Sequence, residues 1–337
     1  MQQPKLLVVI GATGTQGGSV VNTFHNDPEW RIRGLTRSLS SQRAKELSSR
    51  GVEMVAGDLN SLKSLIQAFQ GANAIFAVTD FWRPLSDPKF TEGIKPGQTL
   101  SELAYEHELR QGKNIFDAAA KTEGLSRLIF SSIADVSEAS GGKYTRVYHS
   151  DTKTHAEAYG RETYPELWKK TSTIQVGYYL SNWRDHPSEM PRKEADGSFN
   201  FVSQFAADTP LPLIAADEDT GPLTKSLLHE PAGTKLMGYR AWMTVGEFVA
   251  TWGKVLGARA KLTTVPIETI LDSSATQAME PDVRDILAKG MGYLAEFGYK
   301  LREDPAMIQP EDVSIPATNL HVENWIERQD WSTVLHS

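Results

Sequence analysis

The sequence contains no cysteine, which excludes disulfide bonds, thiolate zinc sites and thiol catalysis and fits a reducing compartment. It also lacks a long apolar run: no stretch approaches the about 20 residues that a helix needs to cross a bilayer. Acidic residues outnumber basic ones by 42 to 35, and the net charge of −7 argues against a broad nucleic-acid or membrane surface. The residues before the first predicted strand have no apolar run, so we expect no signal peptide there. We therefore expect a cytoplasmic protein that binds neither nucleic acid nor membrane directly.

The first half of the chain alternates strand-like and helical patterns. Strands are predicted near 5–10, 31–36, 52–56, 74–78, 126–131 and 172–178. Helices are predicted between them, near 15–26, 40–50, 61–69, 100–121 and 149–164. Strands that alternate with helices form right-handed βαβ units, so the pattern predicts an α/β fold with a doubly wound parallel sheet.

A glycine-rich turn follows the first predicted strand. The apolar run 6–10 leads into Gly11, Gly14 and Gly17, and a helical pattern begins beside them. In such a turn the first glycine permits a tight bend, the second lets the backbone approach a phosphate, and the third allows close helix–strand packing. The N–H groups at the helix start then face the negative charge. The pattern predicts a Rossmann dinucleotide site, the alternative being a glycine turn with no ligand.

The chain is long enough for such a domain and a second, smaller lobe. We place an NAD(P)-binding Rossmann domain at 1–180 and a mixed substrate-binding lobe at 181–337, with elements near 235–265 returning to the core. Residues 79–99 are expected to form a loop over the carboxyl ends of the strands, and the proline-rich segment 183–225 is expected to cover the substrate. The later predicted elements are a strand near 235–241, a helix at 244–256, a strand at 261–265, a helix near 281–297 and a final helix containing Trp325 and Trp331.

Arg37 lies at the end of the second predicted strand, twenty residues after Gly17. A Rossmann fold places at this point the group that meets the adenosine ribose: an acid for the 2′-hydroxyl of NAD, or an arginine for the 2′-phosphate of NADP. No acid is present here, so NADP(H) is the expected cofactor. The alternative is a solvated surface arginine.

Other residues in the same turns are candidates for cofactor contact. Asp58 follows the third strand and could accept a hydrogen bond from the adenine amine, or it could be a plain turn residue. The full predicted cofactor set comprises Gly11, Thr13, Gly14, Thr15, Gln16, Gly17, Arg37, Ser38, Asp58, Leu59, Thr79 and Lys153.

Several longer segments together carry a family resemblance. They are VVIGATGTQGGSVV, LTRS, VAGDL, QGKNIFDAAA, LIFSS, HSDTKTHAEAY, VGYYLSNW and PLPLIAADEDTGP, between about residues 5 and 265. The chain resembles the NmrA-like family of atypical short-chain dehydrogenases, which is related to isoflavone reductase-like enzymes. The resemblance implies a Rossmann core with a small C-terminal lobe and NADP binding. It leaves two kinds of function open, because some members reduce small molecules and others bind the dinucleotide and report redox state to a transcription factor.

The resemblance also directs attention to the helix near 149–164. Short-chain dehydrogenases use a helical Tyr-x-x-x-Lys, in which the tyrosine transfers the proton and the lysine holds the nicotinamide ribose. Here Lys153 occupies the lysine position, but His149 stands four residues earlier, and Tyr148 is turned roughly 100° away on a helix. We therefore consider His149 or Lys153 as the acid–base group, with cofactor binding and helix packing as their alternatives. Ser131 and Ser132, at the end of the fifth strand, are expected to polarise a substrate or to make turn hydrogen bonds.

Aromatic residues near the nicotinamide end suggest a pocket for a flat, apolar substrate. The predicted substrate-binding residues are Phe81, Trp82, Tyr178, Tyr179, Asn182 and Trp183, with an ordinary apolar core as the alternative. The acidic run 217–219 is interpreted as favourable charge at a helix N-terminus, and no metal is predicted.

The preferred hypothesis is a cytoplasmic NADPH-dependent reductase of a small aromatic or heterocyclic metabolite, acting on a C=O, C=C or C=N bond. A second hypothesis is a non-catalytic NADP(H) sensor that binds a protein partner, since the orthodox tyrosine is missing. A third is a non-redox isomerase or cyclase on the same scaffold.

Overall fold

The computed structural model describes residues 3–299, 305–315 and 321–335. Its strands are β1 Lys5–Val9, β2 Trp30–Thr36, β3 Glu53–Ala56, β4 Ala74–Ala77, β5 Arg127–Ser132, β6 Thr171–Val176, β7 Tyr178–Tyr179, β8 Arg192–Lys193, β9 Phe199–Ser203, β10 Pro210–Ile214, β11 Lys235–Gly238, β12 Ala241–Thr244, β13 Ala260–Thr264 and β14 Met307–Ile308.

Helices alternate with these strands. They are α1 Thr15–Phe24, α2 Gln42–Ser49, α3 Leu62–Ala68, α4 Pro88–Thr91, α5 Leu100–Ala120, α6 Val136–Ala139, α7 Tyr148–Thr163, α8 Pro165–Trp168, α9 Asn182–Asp185, α10 Ala216–His229, α11 Val245–Leu256, α12 Ile267–Leu271, α13 Ser274–Gln277, α14 Pro281–Phe297, α15 Val322–Arg328 and α16 Ser332–Leu335, with a 3₁₀ turn at Arg83–Ser86. No helix in the described parts of the chain is long and apolar enough to cross a membrane.

Eight strands form one parallel sheet in the order β14-β11-β6-β5-β4-β1-β2-β3. Apolar residues of α3, α5 and α7 pack on one face of this sheet, and those of α1, α2 and α10 pack on the other. The predicted doubly wound α/β fold is confirmed. The strand order reverses at β1 and β4, where the carboxyl ends of an open parallel sheet bind ligands.

The lobe has its own apolar core. Its two small sheets have the strand orders β12-β10-β7 and β13-β9-β8. Aromatic rings fill the space between them and α11, and the Trp183 ring stacks on Phe248 with centroids 3.8 Å apart. Trp325 and Trp331 are buried in this core, and the final element is two short helices, α15 and α16, rather than the one expected.

The proline-rich segment differs from its prediction. Residues 216–229 form α10, with Pro222 inside it, and this helix packs against α1 in the Rossmann layer. A Cβ at Gly221 would lie 2.3 Å from the Ser19 carbonyl oxygen, so the two helices touch backbone to backbone. The expectation that the whole of 183–225 covers a substrate is therefore wrong for its last part. Of the strands near 235–265, β11 joins the large sheet, whereas β12 and β13 belong to the small sheets.

Candidate functional site

The glycine turn between β1 and α1 is shaped by close backbone contacts. Gly11 has a positive φ of 67°, a conformation that side chains disfavour, and its carbonyl oxygen accepts a hydrogen bond from the Gly14 N–H at 2.8 Å. A Cβ at Gly17 would lie 2.2 Å from the Gly11 oxygen, so only glycine fits there. The start of α1 is thereby held directly against the end of β1.

The first turn of α1 has free hydrogen-bond donors. Its N-cap residue is Gly14, which has no side chain to cap the helix. Within the described residues, the backbone N–H groups of Thr15, Gln16 and Gly17 donate to no protein acceptor. Unpaired N–H groups at a helix N-terminus form an anion site, so this turn can hold a pyrophosphate. Thr13 lies in the same loop.

Arg37 leaves the end of β2 as an exposed side chain. In the parts of the chain that the structure describes, its guanidinium makes no hydrogen bond or ion pair. By contrast, the nearby hydroxyls are engaged: the Ser38 N–H donates to Thr36 Oγ1 at 3.2 Å, and the Ser38 and Ser40 hydroxyl oxygens lie 2.9 Å apart. Arg37 is therefore the group of this loop that remains available to a phosphate.

Asp58 and Leu59 follow β3 on the same edge. The Asp58 carboxylate accepts hydrogen bonds from the backbone and side-chain N–H groups of Asn60 at 2.9 and 3.0 Å. The Leu59 carbonyl accepts one from Asn114 Nδ2 at 2.8 Å. These hydrogen bonds give Asp58 the geometry of a turn residue, which was the alternative to an adenine contact. Its side chain is exposed, so the adenine contact stays a prediction.

A buried carboxylate connects three predicted or neighbouring site residues. Glu108 of α5 is 1% exposed and accepts hydrogen bonds from Thr79 Oγ1 at 2.6 Å, from Lys153 Nζ at 2.6 Å, and from the Thr152 hydroxyl. The Lys153 side chain is 14% exposed. Thr79 and Lys153 therefore share one carboxylate, which belongs to a residue that the motif does not contain.

His149 lies one turn before Lys153 on α7. Its ring packs on Trp82 with centroids 5.1 Å apart, and its Nδ1 is buried with no hydrogen-bond partner. Burial, reinforced by the Lys153 charge, lowers the pKa of His149 to about 3. The imidazole is therefore neutral near pH 7, so the acid role considered for His149 lacks its charged donor form.

Tyr148 faces away from these residues. Its ring lies 5.0 Å from that of Tyr105, and both line an open cavity of about 720 Å³ between α5 and α7. The expected turn of Tyr148 away from the Lys153 face agrees with this placement.

The two serines at the end of β5 point to opposite faces of the sheet. Ser131 donates to Gln16 Oε1 at 2.7 Å, and Gln16 Nε2 in turn donates to the Tyr179 hydroxyl at 2.6 Å. The Ser132 hydroxyl donates to the Ile133 carbonyl oxygen at 3.4 Å. The serines are 1% and 0% exposed, so these internal hydrogen bonds, and not contact with a substrate, are what the structure assigns to them.

Several aromatic rings of the predicted substrate pocket are buried in apolar cores. Phe81 packs beside Ala104 and Ile286, while Tyr178 and Trp183 belong to the lobe core. Only Trp82, at 39%, is an exposed aromatic of this set. The expectation that all of these rings face one pocket is therefore wrong, because three of them serve as core. Tyr179 remains partly accessible beside Gln16, and Asn182 begins the short helix α9.

Tyr178 and the acidic run have partners that the sequence did not reveal. The Tyr178 hydroxyl donates to Glu189, and burial raises the pKa of that carboxyl to about 7. Asp217, Glu218 and Asp219 lie in the first turn of α10, where Asp219 also pairs with the buried Arg240 at 2.7 Å. Among the described residues, no cluster of three or more acidic or histidine side chains is arranged to hold a metal ion.

The residues that sequence reasoning missed are three acids: the buried Glu108 and the partly buried Glu157 and Glu189. The sequence did carry a signal for Glu108, because this acid lies on the buried helical stripe of α5, between Ala104 and Gln111–Ile115. An acid on such a stripe needs a partner in the fold. Glu157 lies inside the segment HSDTKTHAEAY, which assigned it no role, and Glu189 lies outside the segments that carry the resemblance.

The fold and the glycine turn define a doubly wound α/β protein whose first helix is built to receive a phosphate group. The chain belongs to the NmrA-like family, whose model matches residues 3–301. It is 28% identical over 297 residues to an NmrA-like family domain-containing oxidoreductase, ptmS, of Penicillium ochrochloron, covering 85% of this chain and 83% of the relative.

Two solved structures share the fold. NmrA, a negative transcriptional regulator, is 20% identical with a TM-score of 0.76, and the match covers 98% of this chain and 99% of NmrA. The Citrobacter sp. triphenylmethane reductase complexed with NADP(H) is 16% identical with a TM-score of 0.65, and the match covers 96% of this chain and 99% of the reductase.

Proposed function

We propose that this protein is an NADP(H)-dependent reductase of a small aromatic or heterocyclic metabolite. The observation that carries the proposal is Arg37, an exposed guanidinium without an internal partner at the ribose end of a helix-start phosphate site. The relatives named oxidoreductases and the NADP(H)-bound structural neighbour support it.

The residues divide into three tasks in this proposal. The turn at Gly11–Gly17 and the first N–H groups of α1 bind the pyrophosphate, and Arg37 pairs with the 2′-phosphate. Lys153, held by Glu108, binds the nicotinamide ribose. Thr79, also fixed by Glu108, lines the path of the dinucleotide. When bound, the cofactor supplies the hydride, and the protein orients it.

The test is calorimetric titration with NADPH, NADP⁺, NADH and NAD⁺. Replacing Arg37 with Ala removes a charge-assisted pair worth about 1.5–3 kcal/mol, so NADPH should bind about 10- to 100-fold more weakly while NADH is unaffected. Arg43→Ala is the matched control, because Arg43 is an exposed arginine on the neighbouring α2. Equal losses for NADPH and NADH would show that Arg37 does not bind the 2′-phosphate.

A second candidate is a non-catalytic NADP(H) sensor with a protein partner. The neutral, buried His149 in place of the orthodox tyrosine favours it, because that position then lacks a proton donor. The same titration separates the two functions: a reductase should bind NADPH ahead of NADP⁺, whereas binding of NADP⁺ equal to or tighter than NADPH would favour the sensor.

A further inference from the structure

The open cavity between α5 and α7 lies on the side of α7 that faces away from the cofactor residues. Tyr148, Asp151 and His155 line this cavity from α7. At about 100° per residue these three share one face of the helix, whereas the other two, His149 and Lys153, lie roughly 180° away. The cavity and the candidate cofactor site are therefore on opposite sides of α7.

Three rings line this cavity. The Tyr105 and Tyr148 rings have centroids 5.0 Å apart and are inclined by 41°, and the His155 ring stands edge-on to Tyr105 at 5.9 Å. The Tyr105 hydroxyl and His155 Nδ1 also share a hydrogen bond at 2.8 Å. The cavity volume of about 720 Å³ falls in the range of about 300–1,000 Å³ that small-molecule sites have. An aromatic side chain can therefore enter and pack on these rings.

Two charges of opposite sign line the same cavity without neutralising each other. Arg146 is exposed, Asp151 is 7% exposed, and in the described parts of the chain neither forms an ion pair. The other carboxylates and the lysine of the lining are engaged. Lys95 pairs with Glu106 at 3.5 Å, and Glu102 accepts a hydrogen bond at 2.9 Å from the backbone N–H that precedes α5. The charges left for a ligand are thus one guanidinium and one carboxylate.

The backbone at Arg146 is strained. Its φ of 58° is the only positive value for a residue other than glycine in the described ranges. Side chains rarely adopt this left-handed conformation, and residues that do so are concentrated at ligand-binding and active sites. Here the strained residue is the one that supplies the free positive charge of the cavity.

We propose that this cavity binds a free aromatic amino acid in its zwitterionic form. The ligand carboxylate pairs with Arg146, the ammonium pairs with Asp151, and the aromatic side chain packs on the tyrosine rings. A ligand with only a positive charge would be opposed by Arg146, and one with only a negative charge would meet the carboxylates. A zwitterion satisfies both free charges through charge-assisted hydrogen bonds. This site is additional to the proposed reductase function and does not depend on it.

The test is calorimetric titration of the full chain, without cofactor, with three probes of one skeleton. L-Phenylalanine carries both charges, phenethylamine lacks the carboxylate, and 3-phenylpropanoate lacks the ammonium. Because each of the latter two loses one charge-assisted contact, phenylalanine should bind at least about tenfold more tightly than either.

Two variants assign the contacts. Arg146→Gln should weaken phenylalanine to the level of phenethylamine and leave phenethylamine no weaker than before. Asp151→Asn should weaken phenylalanine to the level of 3-phenylpropanoate and leave 3-phenylpropanoate no weaker than before. Arg43→Gln and Asp208→Asn are the matched controls, since both residues are exposed and lie outside the cavity lining. If Asp151→Asn does not fold, the exposed Arg146 position decides alone.

No measurable binding of phenylalanine, equal binding of the three probes, or equal weakening of all three in Arg146→Gln would overturn the proposal. So would a preference for phenylalanine over phenethylamine that persists in Arg146→Gln. The titrations contain no NADPH, so their failure leaves the reductase proposal standing. Failure to bind NADPH in the separate titration would refute the reductase and leave this site standing.

Discussion

Alanine at Gly17 and at Gly18 should have opposite effects on the same helix. A Cβ at Gly17 would lie 2.2 Å from the Gly11 carbonyl oxygen, 2.5 Å from the Gly11 carbonyl carbon and 2.7 Å from the Ile10 oxygen. All three are backbone atoms of the β1–α1 turn, so relief requires the helix to move. A Cβ at Gly18 would meet its nearest atom, the Ala12 oxygen, at 3.7 Å, an ordinary contact.

The magnitude follows from the difference between the two variants. Replacing glycine by alanine inside a helix gains about 1 kcal/mol in either case, so this term cancels. The remaining cost of forcing a methyl group into a filled space is about 1–3 kcal/mol. The unfolding free energy of Gly17→Ala should therefore fall below that of Gly18→Ala by that amount.

Urea unfolding of both variants measures this difference, and NADPH titration measures its consequence for the phosphate site. Moving the start of α1 displaces its free N–H groups, so Gly17→Ala should lose at least about tenfold in NADPH affinity, a loss of about 1.4 kcal/mol. The same unfolding midpoint and the same NADPH affinity for the two variants would refute the close-approach argument.

Three further predictions concern buried charges. Glu108→Gln leaves Lys153 without its partner and should lower the unfolding free energy by about 3 kcal/mol, whereas Glu106→Gln, at an exposed pair, should cost less than about 1 kcal/mol in the same urea titration. Arg240→Met strands the fully buried Asp219 and should cost about 3–5 kcal/mol, against less than about 1 for Arg259→Met at the exposed pair with Asp196; similar losses would contradict the burial argument. Burial raises the pKa of Glu189 from 4.5 to about 7, so the folded protein keeps a proton that the unfolded chain releases, and stability should fall by about 3 kcal/mol as the pH rises through that window. Glu189→Gln should remove this part of the pH dependence and leave the part that Glu157, whose pKa burial also raises to about 7, contributes in the same window. An unchanged pH profile of unfolding would show that the Glu189 carboxyl is not responsible.

The parallel sheet and its phosphate turn could be predicted because their signals are local. Alternating apolar strands and helices identify the βαβ units, and the glycine spacing positions the turn to the residue. The helix α10 could not be predicted from such signals, because Pro222 normally ends a helix. Its packing against α1, with Gly221 at backbone contact, is a tertiary interaction that overrides the local preference.

In the candidate site, too, residues with a local signal could be predicted and those placed by tertiary packing could not. Arg37 and Lys153 could be named because each occupies a fixed place relative to a motif. The partner of Lys153 could not, because Glu108 is 45 residues away on another helix. Residue type alone also could not show which aromatic side chains are buried: Trp82 is exposed, whereas Phe81 beside it lies in the core.

The retention of Lys153 without the orthodox tyrosine has a physical explanation in this arrangement. In the orthodox motif the lysine lowers the pKa of the tyrosine one turn before it. Here that position holds the neutral imidazole of His149, and the Lys153 ammonium donates a hydrogen bond to Glu108. A positive charge fixed in this way can still bind ribose hydroxyls, and binding needs no proton transfer. On the proposed function, the face of α7 keeps the lysine that would bind the cofactor, and a neutral imidazole stands where the proton-transferring tyrosine would be.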